Sequence, residues 1–159
     1  MFLFVLLGAS LLWFGWFGFN AGSALAPNGL AVHALVTTHF FSAAAAIFSW
    51  LALEKYVTGH PTLVGASTGL VAGLVAITPG ADFVSIWSSI LIGAMVSPVC
   101  FYAISVLKKR TNYDDALDVF GCHGVGGIFG GLCTAVFTTP NLALDKANFG
   151  LIYGMLVCL

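Results

Sequence analysis

Long apolar runs broken by brief polar interruptions set the pattern of this chain. Residues 1–53 contain no Asp, Glu, Lys or Arg, and Glu54 and Lys55 end the run. Residues 56–81 are uncharged up to Asp82, residues 83–107 up to Lys108, Lys109 and Arg110, and residues 119–144 up to Asp145 and Lys146. A helix needs about 20 apolar residues, at about 1.5 Å each, to cross the hydrocarbon of a bilayer. Each internal run fits one crossing. The opening run fits two, divided by the loop-like stretch from Asn20 to Gly29. The pattern predicts helical segments at 2–19, 31–53, 62–79, 84–107, 117–138 and 148–159, the last too short to span. Strands are the competing reading of an apolar run. Barrel strands alternate polar and apolar positions over about ten residues, whereas residues 71–77 and 90–96 do not alternate.

Composition narrows the class. Of 159 residues, 60% are hydrophobic and 7% are charged, against about 25% charged in an average soluble domain. Eleven ionised side chains cannot cover a water-soluble domain of this length. No basic patch exists to neutralise phosphates, so nucleic acid is not an expected partner, and the hydrophobicity excludes intrinsic disorder. The expected fold is an all-α membrane protein, a polytopic helical bundle of about five complete transmembrane helices plus a truncated sixth. Residues 1–159 form one partial transmembrane domain. The first segment starts on the second residue without a basic flank, unlike a cleaved signal peptide, and the last stops on an apolar residue. Both ends read as cut from a longer polypeptide. Lys55, Lys108, Lys109 and Arg110 fall in even-numbered loops and Lys146 in an odd one, which makes the even loops cytoplasmic.

Small residues predict where these helices meet. Gly65, Gly69 and Gly73 recur every four residues, and Gly126/Gly130 and Gly127/Gly131 repeat that spacing. Such spacing lets backbones approach closely, the main source of helix association in lipid. Cys100, Cys122, Cys133 and Cys158 fall in apolar segments at spacings unlike a zinc pattern and read as small buried hydrophobes. No metal or cofactor is expected. No carboxylate pair or activated nucleophile lies in an apolar segment, so an enzyme is not expected either.

Histidine is the informative residue type. His60 precedes Pro61 in a loop and is expected to be solvated. His33 sits near the outer interface, where a polar ring is cheap, and His39 lies deeper, without an assignable role. His123 stands among Val119, Phe120, Val125, Ile128 and Phe129. Ionisable residues inside a membrane are costly and usually face a cavity or a partner. The imidazole is expected to be neutral, offering one donor and one acceptor to a small polar molecule. Two readings fit the spacing: a pore-lining ring, or a ring hydrogen-bonded to a neighbouring helix. Trp16, Phe17 and Phe19, next to Ser23, likewise suit either a cation-attracting vestibule or an interfacial aromatic belt.

The run from Gly15 to Ser23, followed a hundred residues later by the run from Asp114 to Gly127, strongly resembles the ammonium transporter (Amt/Mep/Rh) family; residues 63–79 resemble the helix between those motifs. The resemblance covers essentially the whole chain and places it as the second of the family's two inverted five-helix repeats, plus the start of the last helix. It implies a homotrimer in the cell membrane (plasma or bacterial inner membrane), whose protomers each carry a narrow apolar pore. Ammonium is gathered at an outer vestibule and deprotonated, and ammonia passes two facing histidines. Matched to the motifs, His123 is the second of that pair, Phe19 one of two phenylalanines blocking the outer mouth, and Ser23 the vestibule hydroxyl. Trp16 and Val119 complete the expected pore set, and Asp118, Asn20 and Gly124 are structural motif positions. Partners are ammonium or ammonia as substrate, the lipid bilayer and a regulatory protein on the cytoplasmic side. The alternative is an ammonium sensor that keeps the pore fold and signals through an attached domain.

Overall fold

The computed structural model describes residues 2–111 and 113–139. The segment expected at 148–159, with Lys146 and Cys158, lies outside the described residues. Among the described residues five helices are long and apolar enough to cross a membrane: α1 (Phe2–Gly22), α2 (Gly29–Thr58), α3 (Leu63–Gly80), α4 (Ile86–Thr111) and α5 (Phe120–Phe137). Among the described residues there is no strand, only an isolated bridge between Val84 and Thr138.

The helix ends follow from local chemistry. Asn28 caps α2 by accepting from the Leu30 and Ala31 amides, both at 3.1 Å. Thr62 caps α3 through the Gly65 amide and Ser85 caps α4 through the Ser88 amide, each satisfying a donor that the helix leaves orphaned. α2 stops where Gly59 takes φ +89°, a left-handed conformation open to a residue without Cβ. Two boundaries differ from the sequence expectation. α1 runs on to Gly22, so Asn20 is not in a loop. It is buried in the helix, and its Nδ2 donates to Thr38 Oγ1 at 2.9 Å, which relieves the cost of burying an amide. α5 starts at Phe120 rather than 117, because Asp115 to Asp118 form a turn that caps it.

α3 is the centre of the bundle and α1 its edge. Within the most apolar stretch of each helix, 61% of α3 is buried but only 6% of α1. The expected glycine stripe of α3 lies on α2: a Cβ on Gly69 would fall 2.6 Å from Trp50 Cβ, and one on Gly73 2.6 Å from Ala46 Cβ. α2 and α4 run parallel. Gly93 lies on Ser42, Ser97 Oγ donates to Ala46 O at 2.8 Å, and Trp50 meets Phe101 edge-on at 5.5 Å, one contact per helical turn. On α5, Gly126 and Gly130 face the core, Gly130 against the Ala76 backbone. The overlapping pair fares differently: a Cβ on Gly127 would meet only Val75, and one on Gly131 no other part of the described chain within 4 Å. Among the described residues that second stripe has little to pack against, because its face turns away from the centre of the bundle.

Pro98 shows how the bundle tolerates a helix breaker. Proline has no N–H to give to the carbonyl four residues back, here Ala94. Ser49 of α2 supplies the missing donor, with Oγ 2.7 Å from Ala94 O. The loop between α3 and α4 is tied down by His33 Nε2, 2.7 Å from Val84 O. This ring, for which the sequence expected only a cheap interfacial position, is half-buried and bonded. Burial raises the Asp82 carboxyl above its ordinary value, and the charge of His33 opposes that rise. Asp82 Oδ1 is buried without a hydrogen-bond partner among the described residues.

Two outcomes are expected. Replacing Gly73 or Gly130 by Val overpacks a backbone contact and destabilises the protein by about 1–3 kcal/mol, whereas Gly131→Ala leaves stability unchanged; thermal unfolding in detergent micelles separates them. The stability that protonated Asp82 supplies is complete below the ordinary value of 3.8 and lost as pH rises through the raised one. Asp82→Asn, neutral throughout, should therefore unfold at a higher temperature than wild type at pH 7, with the gap closing toward pH 4.

Candidate pore lining

The candidate residues gather where α5 passes the open side of α1. The entry of α5 is built by Asp115. Its Oδ1 accepts from the Val119 amide at 2.9 Å, and its Oδ2 from the Phe120 and Gly121 amides at 3.0 and 3.3 Å. These are the orphan donors of a helix N-terminus, and a carboxylate also suits the positive end of the dipole. Phe120–Gly124 then winds as a π-turn, with the Val125 amide reaching back to Phe120 O. Single π-turns are frequent at functional positions, and this one holds His123. Gly124 belongs to the same turn, and its missing Cβ leaves room for the Phe120 ring, 2.8 Å from where the Cβ would stand.

His123 is exposed on the described chain, and no neighbour wedges it in place. Its imidazole stacks on the Trp16 indole, with centroids 6.4 Å apart and planes 29° apart. Phe19 meets the same indole edge-on at 5.7 Å. The indole is itself fixed: Nε1 donates to Thr78 Oγ1 at 2.8 Å, and that hydroxyl donates on to Leu74 O. Phe19, Trp16 and His123 thus form a row of rings along one face.

Two open clefts flank this row. One, of about 490 Å³, runs along Gly8, Leu11, Leu12, Gly15, Trp16 and Phe19. The other, of about 280 Å³, is bounded by Leu12, Ser67, Thr68, Asp118, Val119 and His123. Gly8 and Leu12 border both, so the clefts adjoin along α1. The lining carries four polar side chains, at Ser67, Thr68, Asp118 and His123, on a wall that is otherwise apolar.

Of the sequence candidates, His123, Trp16, Phe19, Val119 and Asp118 come together here. Ser23 lies just beyond α1, exposed, with its hydroxyl hydrogen given to Phe19 O at 2.8 Å. Its lone pairs remain for an incoming donor. Asn20 is elsewhere, joining α1 to α2. Asp118 pairs with Lys108 Nζ at 2.6 Å. Cys100 and Cys122 are buried neighbours, with Cys100 Sγ 3.9 Å from Cys122 O. Among the described residues no three His, Cys, Asp or Glu side chains cluster as a metal site.

Sequence reasoning missed Thr78, Asp115 and the polar pair Ser67 and Thr68. The signal for Asp115 was present, an acidic residue just before an apolar run. Nothing local marks Thr78, whose partner lies 62 residues away.

Comparison with known proteins gives the family. An ammonium transporter of Bacillus subtilis (strain 168) is 48% identical over 152 residues, 96% of this chain and 37% of that protein. An ammonium transporter of Aquifex aeolicus (strain VF5) is 51% identical over 150 residues, 94% of this chain and 34% of that one. The chain spans about a third of the length of these curated relatives. Among solved structures, Saccharomyces cerevisiae Mep2 superposes with a TM-score of 0.82 at 37% identity, covering 90% of this chain and 31% of Mep2. A structure described as a sensor Amt protein gives 0.81 at 33% identity, over 89% of this chain and 35% of that chain. The model of the Ammonium Transporter Family matches residues 1–158, and this multi-pass membrane chain belongs to that family.

Proposed function

We propose that this chain forms half of a membrane pore for ammonia and that ammonium is recruited and deprotonated at its outer end. The observation that carries the reading is the row Phe19, Trp16, His123, set along open clefts on the side of α1 that nothing in the described chain covers. A second five-helix half packed on that side closes the groove into a channel, and the whole acts as a homotrimer in the cell membrane. Residues 1–159 are one partial transmembrane domain of that assembly.

The physics of each role is general. Ammonium is a compact cation with four donors. The faces of Trp16 and Phe19 attract it by about 0.5–2 kcal/mol through cation–π interaction, and Ser23 has lone pairs to accept one of its protons. The cation does not enter an apolar passage, because burying a charge costs several kcal/mol. Neutral ammonia enters. A neutral His123 offers it one acceptor and one donor between apolar walls set by Leu12 and Val119. Potassium, which has no proton to lose, is turned away by the same desolvation cost.

A sensor is the second reading, favoured by the likeness to the structure described as a sensor Amt protein. In that case the same pore fold reports ammonium to an attached domain on the cytoplasmic side. Kinase, cyclase or phosphatase motifs in an attached tail decide for it.

The test uses the full-length protein reconstituted in liposomes. Wild type is expected to take up ammonium or methylammonium, and His123→Ala to abolish uptake or change its selectivity against potassium. Undiminished uptake with unchanged selectivity in that variant overturns the assignment.

A further inference from the structure

We propose that Lys108 is a positioning residue for the pore. By clamping Asp118 it fixes the turn from which α5 presents Val119 and His123 to the cleft. The transport readout of this proposal rests on the function proposed above.

Three basic residues end α4, yet one of them reaches α5. Lys109 and Arg110 are exposed, whereas Lys108 is half-buried and makes the single ion pair among the described residues. The reason is the segment just before it. Ala103–Leu107 is wound as a π-helix, and its extra residue rotates the last turn of α4 by about 100° relative to an unbroken α-helix. That rotation turns Lys108 toward α5. Ile104 of the same segment fills the place that Gly121 leaves by having no Cβ, so the π-segments of α4 and α5 interlock at the level of the clamp.

Asp118 needs holding. Its φ is +55°, a left-handed conformation that costs L-residues about 1–2 kcal/mol and that Asp is among the few to adopt. Lys108 Nζ binds its Oδ1 at 2.6 Å and also donates to Asp115 O. Both are charge-assisted bonds of the stronger kind. Asp118 O in turn accepts from the Cys122 amide at 3.0 Å, one residue before His123. Asp118, Val119 and His123 border the same cleft, so a shift of that turn moves the cleft wall. An ion pair about a third exposed adds little to global stability, so its loss should show in geometry and rate.

The experiment measures radiolabelled methylammonium uptake by the full-length protein in liposomes for Lys108→Met, Lys108→Arg and Lys109→Met, with hydrogen exchange at the amides of residues 119–123. Lys108→Met is expected to lower the maximal rate about fivefold or more, as misplacement of a working group does. Half-saturation should stay within about twofold, because recruitment lies at the other end of α1. Exchange at residues 119–123 should quicken. Lys108→Arg should retain most of the rate, and Lys109→Met all of it. A wild-type rate in Lys108→Met, an equal fall in Lys109→Met, or unchanged exchange overturns the proposal. If Lys108→Met cannot be reconstituted, exchange in detergent and the Lys108→Arg rate decide it. If wild type takes up no methylammonium, the transport reading fails while exchange still judges the clamp.

Discussion

Lipid offers no hydrogen bonds, so every backbone group that departs from the regular helix must find its partner inside the protein. Hydroxyl side chains meet that constraint at Pro98 and elsewhere tie regular helices to one another. Ser49 serves the carbonyl orphaned by Pro98, Ser42 reaches Gly73 O, Ser97 reaches Ala46 O, and Thr37 reaches Ala81 O. Hydroxyls are short donors. They span between helices only where the backbones nearly touch, and glycines at 69, 73, 93 and 130 permit that approach. Glycine and serine therefore work as one device: the first brings two helices together and the second joins them.

The same economy places the candidate pore. α2, α3, α4 and α5 form a packed slab, and the π-turn of α5 is held on α4 through Lys108 on Asp115 and through Gly121 against Ile104. α1 lies at the margin. It is joined to the slab by Asn20 on Thr38 and Trp16 on Thr78, and by packing around Ala9, Leu70 and Leu74. Its other face carries Leu11, Phe14 and Phe19 into the open. The rings that face the cleft therefore stand on a rigid wall behind them and free space in front, as ligand-facing groups require.

Much of the architecture was legible because charge is so rare. With 7% charged residues, each polar interruption marks a helix end to within a few positions. Asn20 misled because an amide followed by small residues, with Pro27 further on, looks like the start of a loop. Only its partner Thr38, on another helix, explains why it is buried. The Gly127/Gly131 pair misled because spacing fixes the face of a small stripe but not which neighbour that face meets. Of the candidates drawn from motif resemblance, His123, Val119, Asp118, Trp16 and Phe19 lie along adjoining clefts, whereas Asn20 joins α1 to α2 and Ser23 lies beyond α1. The supports of these residues were not legible. Thr78 behind Trp16 and Asp115 beneath the π-turn owe their roles to contacts that the one-dimensional pattern does not carry. A π-turn itself leaves no periodic trace over five residues.

The sparse docking of α1 bears on how the protein is assembled. This helix is uncharged over 21 residues and strongly apolar, so hydropathy alone suffices to drive it into a bilayer before it touches any other helix. The slab, by contrast, needs its mutual hydroxyl and glycine contacts to hold its irregular segments. Insertion and association thus divide between different parts of one chain. α1 rests on few contacts with the slab, and its outward face stays available for whatever completes the wall.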